Sequence, residues 1–414
     1  MNLVKTSILS AIATIIRMIT GFIITKVIAV YVGPSGLAVI GQLQNFINLV
    51  MLGAGNFLKT AITKYTAEYN GDEVKTNELW SASMRVVLGL NVIIFIALFF
   101  FSESISNLIL HNSEYNFVLK IFAFSLPFFI LNTFFLSILN GQKKIRQYTI
   151  INILLSIVSL SLVSFLSYFY GLKGALVAYV INQSVVFFIT LVYLRKESWL
   201  KVKNFLHSTN KDSYRKLYRF ALITFTSILA SNITIMFIRN NLINELSVQD
   251  AGYWQGIWAL SQVALSLVTM SLTTYLLPTI SGLSLKVEIT KELRQAIQVV
   301  IPIVLFMSLT MYLLRDFIIL LLYTDDFMPM RDLFLWQMIG NVIKVCGWLY
   351  GYVLVAKGMV KYTVSTEVVF AMTWAILTLV LVDSYGLVGT TYAYAVNNLL
   401  HFITMVYLYK NKIN

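Results

Sequence analysis

Long apolar runs, each near the length of a membrane-crossing helix and each bounded by charge, follow one another from end to end of this sequence. A spanning helix needs about 20 apolar residues. In hydrocarbon only helices and closed barrels satisfy every backbone polar group internally. Twelve such runs are legible, at roughly 7–31, 37–61, 81–102, 116–139, 148–170, 174–194, 219–244, 254–280, 297–314, 333–356, 364–383 and 388–409. The expected fold is therefore an all-α integral membrane protein with 12 transmembrane helices. Composition agrees: 58% of residues are hydrophobic and only 12% charged, which excludes soluble, disordered and fibrous chains. The first run is too long for a secretory signal core and carries Arg17 and Lys26, so it reads as a true span.

The net charge of +13 is a topology signal rather than a nucleic-acid footprint. With the N-terminus inside, the inner ends and loops hold 23 Lys and Arg, the outer loops hold three (Lys173, Arg315, Arg331), and five lie within spans. That asymmetry places both termini in the cytoplasm. The lone Cys346 allows no intramolecular disulfide, and His111, His207 and His401 lack metal-ligand spacing. No phosphate-binding GxxxxGK[ST] loop is present, so neither a metal, a cofactor nor an ATPase activity is expected.

The two halves echo each other. Tyr170-Gly171-Leu172-Lys173-Gly174, followed by Ala178-Tyr179 and Asn182, returns as Tyr385-Gly386-Leu387-Val388-Gly389, Ala393-Tyr394 and Asn397, at an offset of 215 residues. Gly141 with Tyr148-Thr149 is echoed, less tightly, by Gly358 with Tyr362-Thr363. Six spans per half is an even number, so the repeat is parallel. The expected domains are an N-lobe of spans 1–6 with a basic linker (1–205) and a C-lobe of spans 7–12 (206–414), the two lobes forming a central cavity. The linker around Arg195–Arg219 reads as a solvated, polybasic, interfacial segment.

Five cations lie inside spans: Arg17, Lys26, Lys120, Arg239 and Lys344. Insertion costs roughly 2.5–3.5 kcal/mol for each at a helix centre. Snorkelling accounts for Lys120 but not for Arg17 or Lys344, which sit about ten residues deep. Lys26 lies nine positions beyond Arg17, half a turn out of phase on a straight helix, and Gly21 between them could permit a bend. Amides recur beside these charges at helical spacing: Gln42, Asn45 and Asn48 in span 2, and Gln337, Asn341, Lys344 and Trp348 in span 10. Amides glue helices together, but with deep cations they read as the wall of a hydrated cavity. Arg forks match phosphate oxygens and amides pair with sugar hydroxyls. The expected substrate-binding set is thus Arg17, Lys26, Gln42, Asn45, Asn48, Arg239, Gln337, Asn341 and Lys344. Glu367, the carboxylate well within a span, either couples transport to an ion or pairs with a cation such as Lys344.

Several blocks resemble the Wzx-type flippases of the multidrug/oligosaccharidyl-lipid/polysaccharide exporter superfamily, chiefly those of the enterobacterial lipid III and O-antigen kind. They are Tyr31-Val32-Gly33-Pro34-Ser35-Gly36-Leu37, Trp254-Gln255-Gly256, Tyr275-Leu276-Leu277-Pro278-Thr279, Leu314-Arg315-Asp316-Phe317 and Met330-Arg331-Asp332-Leu333-Phe334 followed by Trp336-Gln337. The resemblance covers essentially the whole chain. It implies two six-helix lobes around a V-shaped cavity in a bacterial inner membrane, opening alternately to either side. The implied cargo is an undecaprenyl-diphosphate-linked oligosaccharide, the implied function is flipping of an O-antigen or enterobacterial-common-antigen-like repeat unit to the periplasmic leaflet, and a polymerase and a chain-length regulator are implied pathway partners.

Two other readings stand beside this one. A polytopic polysaccharide polymerase would display a sizeable outer loop, whereas the largest outer segment here is 315–332, so no enzyme is expected. A cation-coupled drug or small-solute exporter of the same superfamily would favour carboxylates in its cavity, where this sequence places cations.

Overall fold

The computed structural model of the protein describes residues 3–413, without the side chains of residues 3–11 and of ten positions between 212 and 227. Of the basic residues counted above, the side chains of Lys5, Lys216 and Arg219 lie outside the described set. In chain order the helices are α1 (Leu3–Tyr31), α2 (Gly33–Gly53), α3 (Lys59–Glu68), α4 (Glu73–Phe100), α5 (Ser102–Leu110), α6 (Asn116–Gly141), α7 (Ile145–Leu194) and α8 (Lys211–Glu245). There follow α9 (Val248–Ser271), α10 (Leu277–Gly282), α11 (Lys286–Leu313), α12 (Arg315–Leu322), α13 (Phe334–Ala356), α14 (Val360–Tyr385) and α15 (Gly389–Lys412). Among the described residues, nine helices are long and apolar enough to cross a membrane. The protein is an all-α, multi-pass membrane protein.

Close packing divides the chain into two compact units. One takes Met1–Val32 and Ile40–Asn232; the other takes Gly33–Val39 and Ile233–Asn414. In the first, α1 and α6 pack along α7; in the second, α13 packs on α15 and α11, and α14 on α15. The polarity is inverted relative to a soluble protein. Val299, Ile303, Phe306 and Leu313 form one exposed stripe of α11, while Asn132, Gln255, Gln337 and Asn341 are buried. Apolar faces of that size belong against lipid. Pro278 follows a π-helical turn at Leu272–Leu276, which separates α9 from α10 within the eighth apolar run. Such a turn re-satisfies backbone groups where the proline ring would clash.

The sequence echo has a backbone counterpart. Gly171 within α7 (φ 54°, ψ −134°) and Gly386 after α14 (φ 58°, ψ −144°) break two long apolar runs in the same left-handed conformation, 215 residues apart. Three residues later the backbones close up. A Cβ on Gly174 would stand 1.9 Å from the Leu166 carbonyl oxygen, and one on Gly389 would stand 2.1 Å from that of Leu381. The second echo needs a shift of register. Lys143 (φ 58°) and Gly358 (φ 66°) occupy the same left-handed position after α6 and α13. Matching bonds close both helix ends, from Lys144 N–H to the Leu139 carbonyl at 2.9 Å and from Met359 N–H to the Leu354 carbonyl at 3.0 Å. This is the Schellman arrangement, which usually selects glycine. Here one copy carries lysine, so Gly141 is not the counterpart of Gly358.

The basic segment between α7 and α8 is docked rather than simply solvated. Trp199 and Phe205 are buried, with ring centroids 5.9 and 5.8 Å from that of Trp80, and Trp199 also meets Phe135 at 5.7 Å. Glu197 accepts from Lys144 and from Gln147. Burial pushes the Glu197 carboxyl up, but those hydrogen bonds and the Lys144 charge outweigh it and hold the group below its ordinary value. Arg85 donates to the His207 carbonyl at 2.9 Å and to Thr209 Oγ1 at 2.8 Å. Aromatic burial rather than helix propensity fixes this stretch, which explains why its charge pattern alone suggested a free linker.

The duplicated glycine contact sets a test. Gly389→Ala and Gly174→Ala each force a helix off a carbonyl oxygen, and overpacking of this kind costs about 1–3 kcal/mol. Thermal unfolding of the detergent-purified protein should show a lower midpoint for both. Gly89→Ala, where the added methyl meets nothing within 4 Å, should be neutral or slightly stabilising; equal behaviour of all three would contradict the packing argument.

Candidate functional site

In the first unit the deep cation Arg17 is exposed on α1. It lines a small cavity of about 110 Å³ together with Ala13, Thr14, Tyr148, Thr149 and Asn152. Asn152 Nδ2 donates to the Tyr148 carbonyl at 2.8 Å. No carboxylate lines this cavity, so the guanidinium faces hydroxyls and an amide. The α1 helix runs unbroken through Gly21, so the half-turn offset of Lys26 stands, and Lys26 is half-buried away from the Arg17 cavity. On α2, Gln42 is 3% exposed, Asn45 half-buried and Asn48 exposed, with Asn48 Nδ2 donating to Asn232 Oδ1 at 3.4 Å. The neighbouring Gln44 bonds the Tyr179 hydroxyl.

The second unit treats its two cations differently. Arg239 is 1% exposed; its guanidinium donates to Gln255 Oε1 and lies 5.7 Å from the Trp254 ring centroid. Lys344 has its ammonium among three aromatic faces, at 5.5 Å from the centroid of Trp258, 5.3 Å from Trp348 and 5.2 Å from Tyr394. Trp254 stacks on Trp258 at 5.9 Å, so the two cations sit at opposite ends of one aromatic column. Asn341, one turn from Lys344, donates to Ser261 Oγ at 3.1 Å and accepts from the Tyr394 hydroxyl at 3.0 Å. It ties α9, α13 and α15 together. Gln337 is also buried, with no hydrogen-bond partner for its Nε2 among the described residues.

Glu367 is exposed on α14 and faces a cavity of about 420 Å³ inside this unit. Trp348, His401, Tyr352, Thr273 and Thr366 share its wall. Among the described residues the ion pairs include none between Lys344 and Glu367. What meets the lysine is aromatic instead. Among the described residues no group of three or more His, Cys, Asp or Glu could hold a metal ion.

Tyr148, Asn152, Trp258, Tyr394 and His401 escaped the sequence reading as neighbours of the cations. Two signals pointed to them. Tyr148 and Tyr394 both stand in the internal echo, and Trp254 and Trp258 recur at one helical turn on a single face.

The chain matches known proteins over its whole length. A family profile described as "Polysaccharide biosynthesis protein" covers residues 3–284. The "Lipid III flippase" of Escherichia coli (strain K12) is 27% identical over 407 residues, covering 97% of each chain, and that of Shigella flexneri matches to the same extent. Among solved structures, an inward-facing multidrug resistance MATE family transporter of the MOP superfamily superposes with a TM-score of 0.82 at 16% identity, over 96% of this chain and 94% of that one. Such low identity speaks to fold alone. Family and fold are those of transporters rather than of enzymes. This chain belongs to the polysaccharide biosynthesis protein family, within the multidrug/oligosaccharidyl-lipid/polysaccharide exporter superfamily.

Proposed function

We propose that the protein flips an undecaprenyl-diphosphate-linked oligosaccharide, an O-antigen or enterobacterial-common-antigen-like repeat unit, from the cytoplasmic to the periplasmic leaflet of a bacterial inner membrane by alternating access. In this reading the twelve spans form two parallel six-helix lobes, 1–205 and 206–414, around a central cavity, with both termini cytoplasmic. Helix lengths support the count. Two of the nine apolar stretches run for 50 and 53 residues, more than twice what a bilayer needs, and each is broken at a left-handed glycine. Adding α8, whose side chains are only partly described, brings the total to twelve.

The observation that carries the reading is the polarity of the interior. Arg17 and Lys344 lie deep in apolar helices, and among the described residues neither is joined to a carboxylate. A cation neutralised by an acid would serve structure; these keep their charge. Arg17, with the Tyr148 hydroxyl and Asn152 beside it, suits a phosphoryl group, because a guanidinium fork pairs two oxygens at once. Lys344 acts as a point charge for the second phosphate. Lys26 and Arg239 add to the same field, while Gln42, Asn45, Asn48 and Gln337 supply donors and acceptors for sugar hydroxyls. Asn341 acts indirectly, by holding Tyr394 against Lys344. The polymerase and chain-length regulator of the pathway would then consume the cargo.

Arg17→Ala and Lys344→Ala should insert at normal levels and abolish or greatly shorten surface polysaccharide in a strain lacking the chromosomal copy. Full-length polysaccharide from either normally inserted variant would refute the assignment.

A second, compatible reading is favoured by the cavity that brings Glu367 and His401 to one wall: an exchangeable proton or sodium ion there would couple flipping to a cation gradient. Glu367→Gln should then lose the response of flipping to an imposed pH or sodium gradient while still binding cargo. A variant that responds as the parent does would leave Glu367 without a coupling role.

A further inference from the structure

An ammonium surrounded by aromatic faces is the arrangement by which proteins recognise organic cations. Here the ammonium belongs to the protein. Trp258 of α9, Trp348 of α13 and Tyr394 of α15 each place a ring centroid within 5.2–5.5 Å of Lys344 Nζ. These walls are fixed. Tyr394 is held through its hydroxyl by Asn341, and its ring lies where only a glycine, Gly340, lets it approach α13: a Cβ there would stand 2.5 Å from the ring. Trp258 is braced by Trp254 at 5.9 Å and by Trp374 at 5.2 Å. The third wall, Trp348, is also part of the lining of the 420 Å³ cavity that holds Glu367 and His401. The box therefore adjoins a space large enough for a small ligand, with Trp348 as the partition.

We propose that Trp258, Trp348 and Tyr394 form a binding site for organic ammonium ions that the protein keeps filled with its own Lys344, so that this half of the transporter is closed to cationic solutes while staying electropositive. The chemistry of the two available partners explains the choice. A carboxylate beside Lys344 would cancel its charge and leave nothing to attract an anion. Aromatic quadrupoles stabilise the cation and leave its full charge in place. The same faces, if vacant, would attract a quaternary ammonium, and Glu367 in the adjoining cavity would help draw it in. One tethered side chain thus does two jobs: it blocks the competing ligand class and presents positive charge. Discrimination of this kind rests on a repulsive element as much as on an attractive one. The inference stands apart from the identity of the transported lipid.

The test uses the full-length protein in nanodiscs with radiolabelled tetramethylammonium as probe, sodium chloride holding ionic strength constant. Lys344→Ala vacates the box, Lys344→Met fills it with a neutral chain, and Lys344→Ala combined with Trp258→Leu vacates it but removes its best wall. Lys344→Ala should bind about tenfold or more label than the parent at equal free concentration, as one desolvated cation–π face provides. The parent, Lys344→Met and the double variant should bind at background. The neutral isostere 3,3-dimethylbutan-1-ol should not compete. The thermal midpoint of Lys344→Ala, alone among the four, should rise with tetramethylammonium, since a ligand that binds only the folded state stabilises it. Background binding by a monodisperse Lys344→Ala protein would overturn the proposal. So would equal binding by Lys344→Met, or undiminished binding by the double variant. If Lys344→Ala cannot be isolated in ordinary buffer, tetramethylammonium present throughout solubilisation should recover it; failure of that recovery counts against the box equally.

Discussion

The cost of holding a positive charge inside a hydrophobic helix bundle governs this protein. Insertion charges several kcal/mol for each such residue, and the chain meets the cost in three ways without cancelling the charge. Arg17 opens onto a small polar cavity. Arg239 gives a hydrogen bond to an amide and lies over an indole. Lys344 rests among three aromatic rings. Each arrangement relies on precise neighbours from other helices, so the packing of α9, α13 and α15 follows from what Lys344 requires, and the seating of α1 on α7 frames Arg17.

Duplication supplies the frame. Gly171 with Gly386, and Gly174 with Gly389, repeat both a left-handed turn and a backbone approach tighter than any side chain allows. The turns end one span and start the next with almost no connecting loop, so two antiparallel neighbours can pack from their first residue. The halves have diverged in side-chain chemistry on that shared backbone. Tyr179 and Tyr394 are equivalent by position, yet Tyr179 bonds Gln44 and Tyr394 bonds Asn341 beside a caged lysine. A common scaffold thus carries two different treatments of charge.

Much of this was legible in the sequence, because hydrocarbon imposes a length and a polarity that few other environments do. The apolar runs located the helices, the echo at 215 residues located the turns, and depth within a run singled out Arg17 and Lys344. Other features depend on contacts that no local pattern encodes. Trp199 and Phe205 looked like interfacial residues among charges, but they are buried against Trp80 and Phe135. The left-handed position after α6 is taken by Lys143, so a search for matching glycines paired Gly141 with Gly358 instead. Lys344 was read with amide and carboxylate partners because spacing along one helix reveals that helix's own stripe; the rings that enclose it come mainly from α9 and α15. Periodicity reports which face a residue takes, and stays silent on what another helix brings to that face.

The central claim is that uncompensated interior cations select a doubly anionic cargo, whose outward passage the membrane potential then drives. At about 2.3 kcal/mol per charge per 100 mV, full passage of two charges gains roughly 4–5 kcal/mol. The direct measurement is the initial rate of lipid-linked oligosaccharide flipping in proteoliposomes under a potassium diffusion potential of either sign. A potential negative on the cytoplasmic face should accelerate export, and the opposite polarity should slow it. An initial rate that is the same at both polarities and at zero potential would contradict the account.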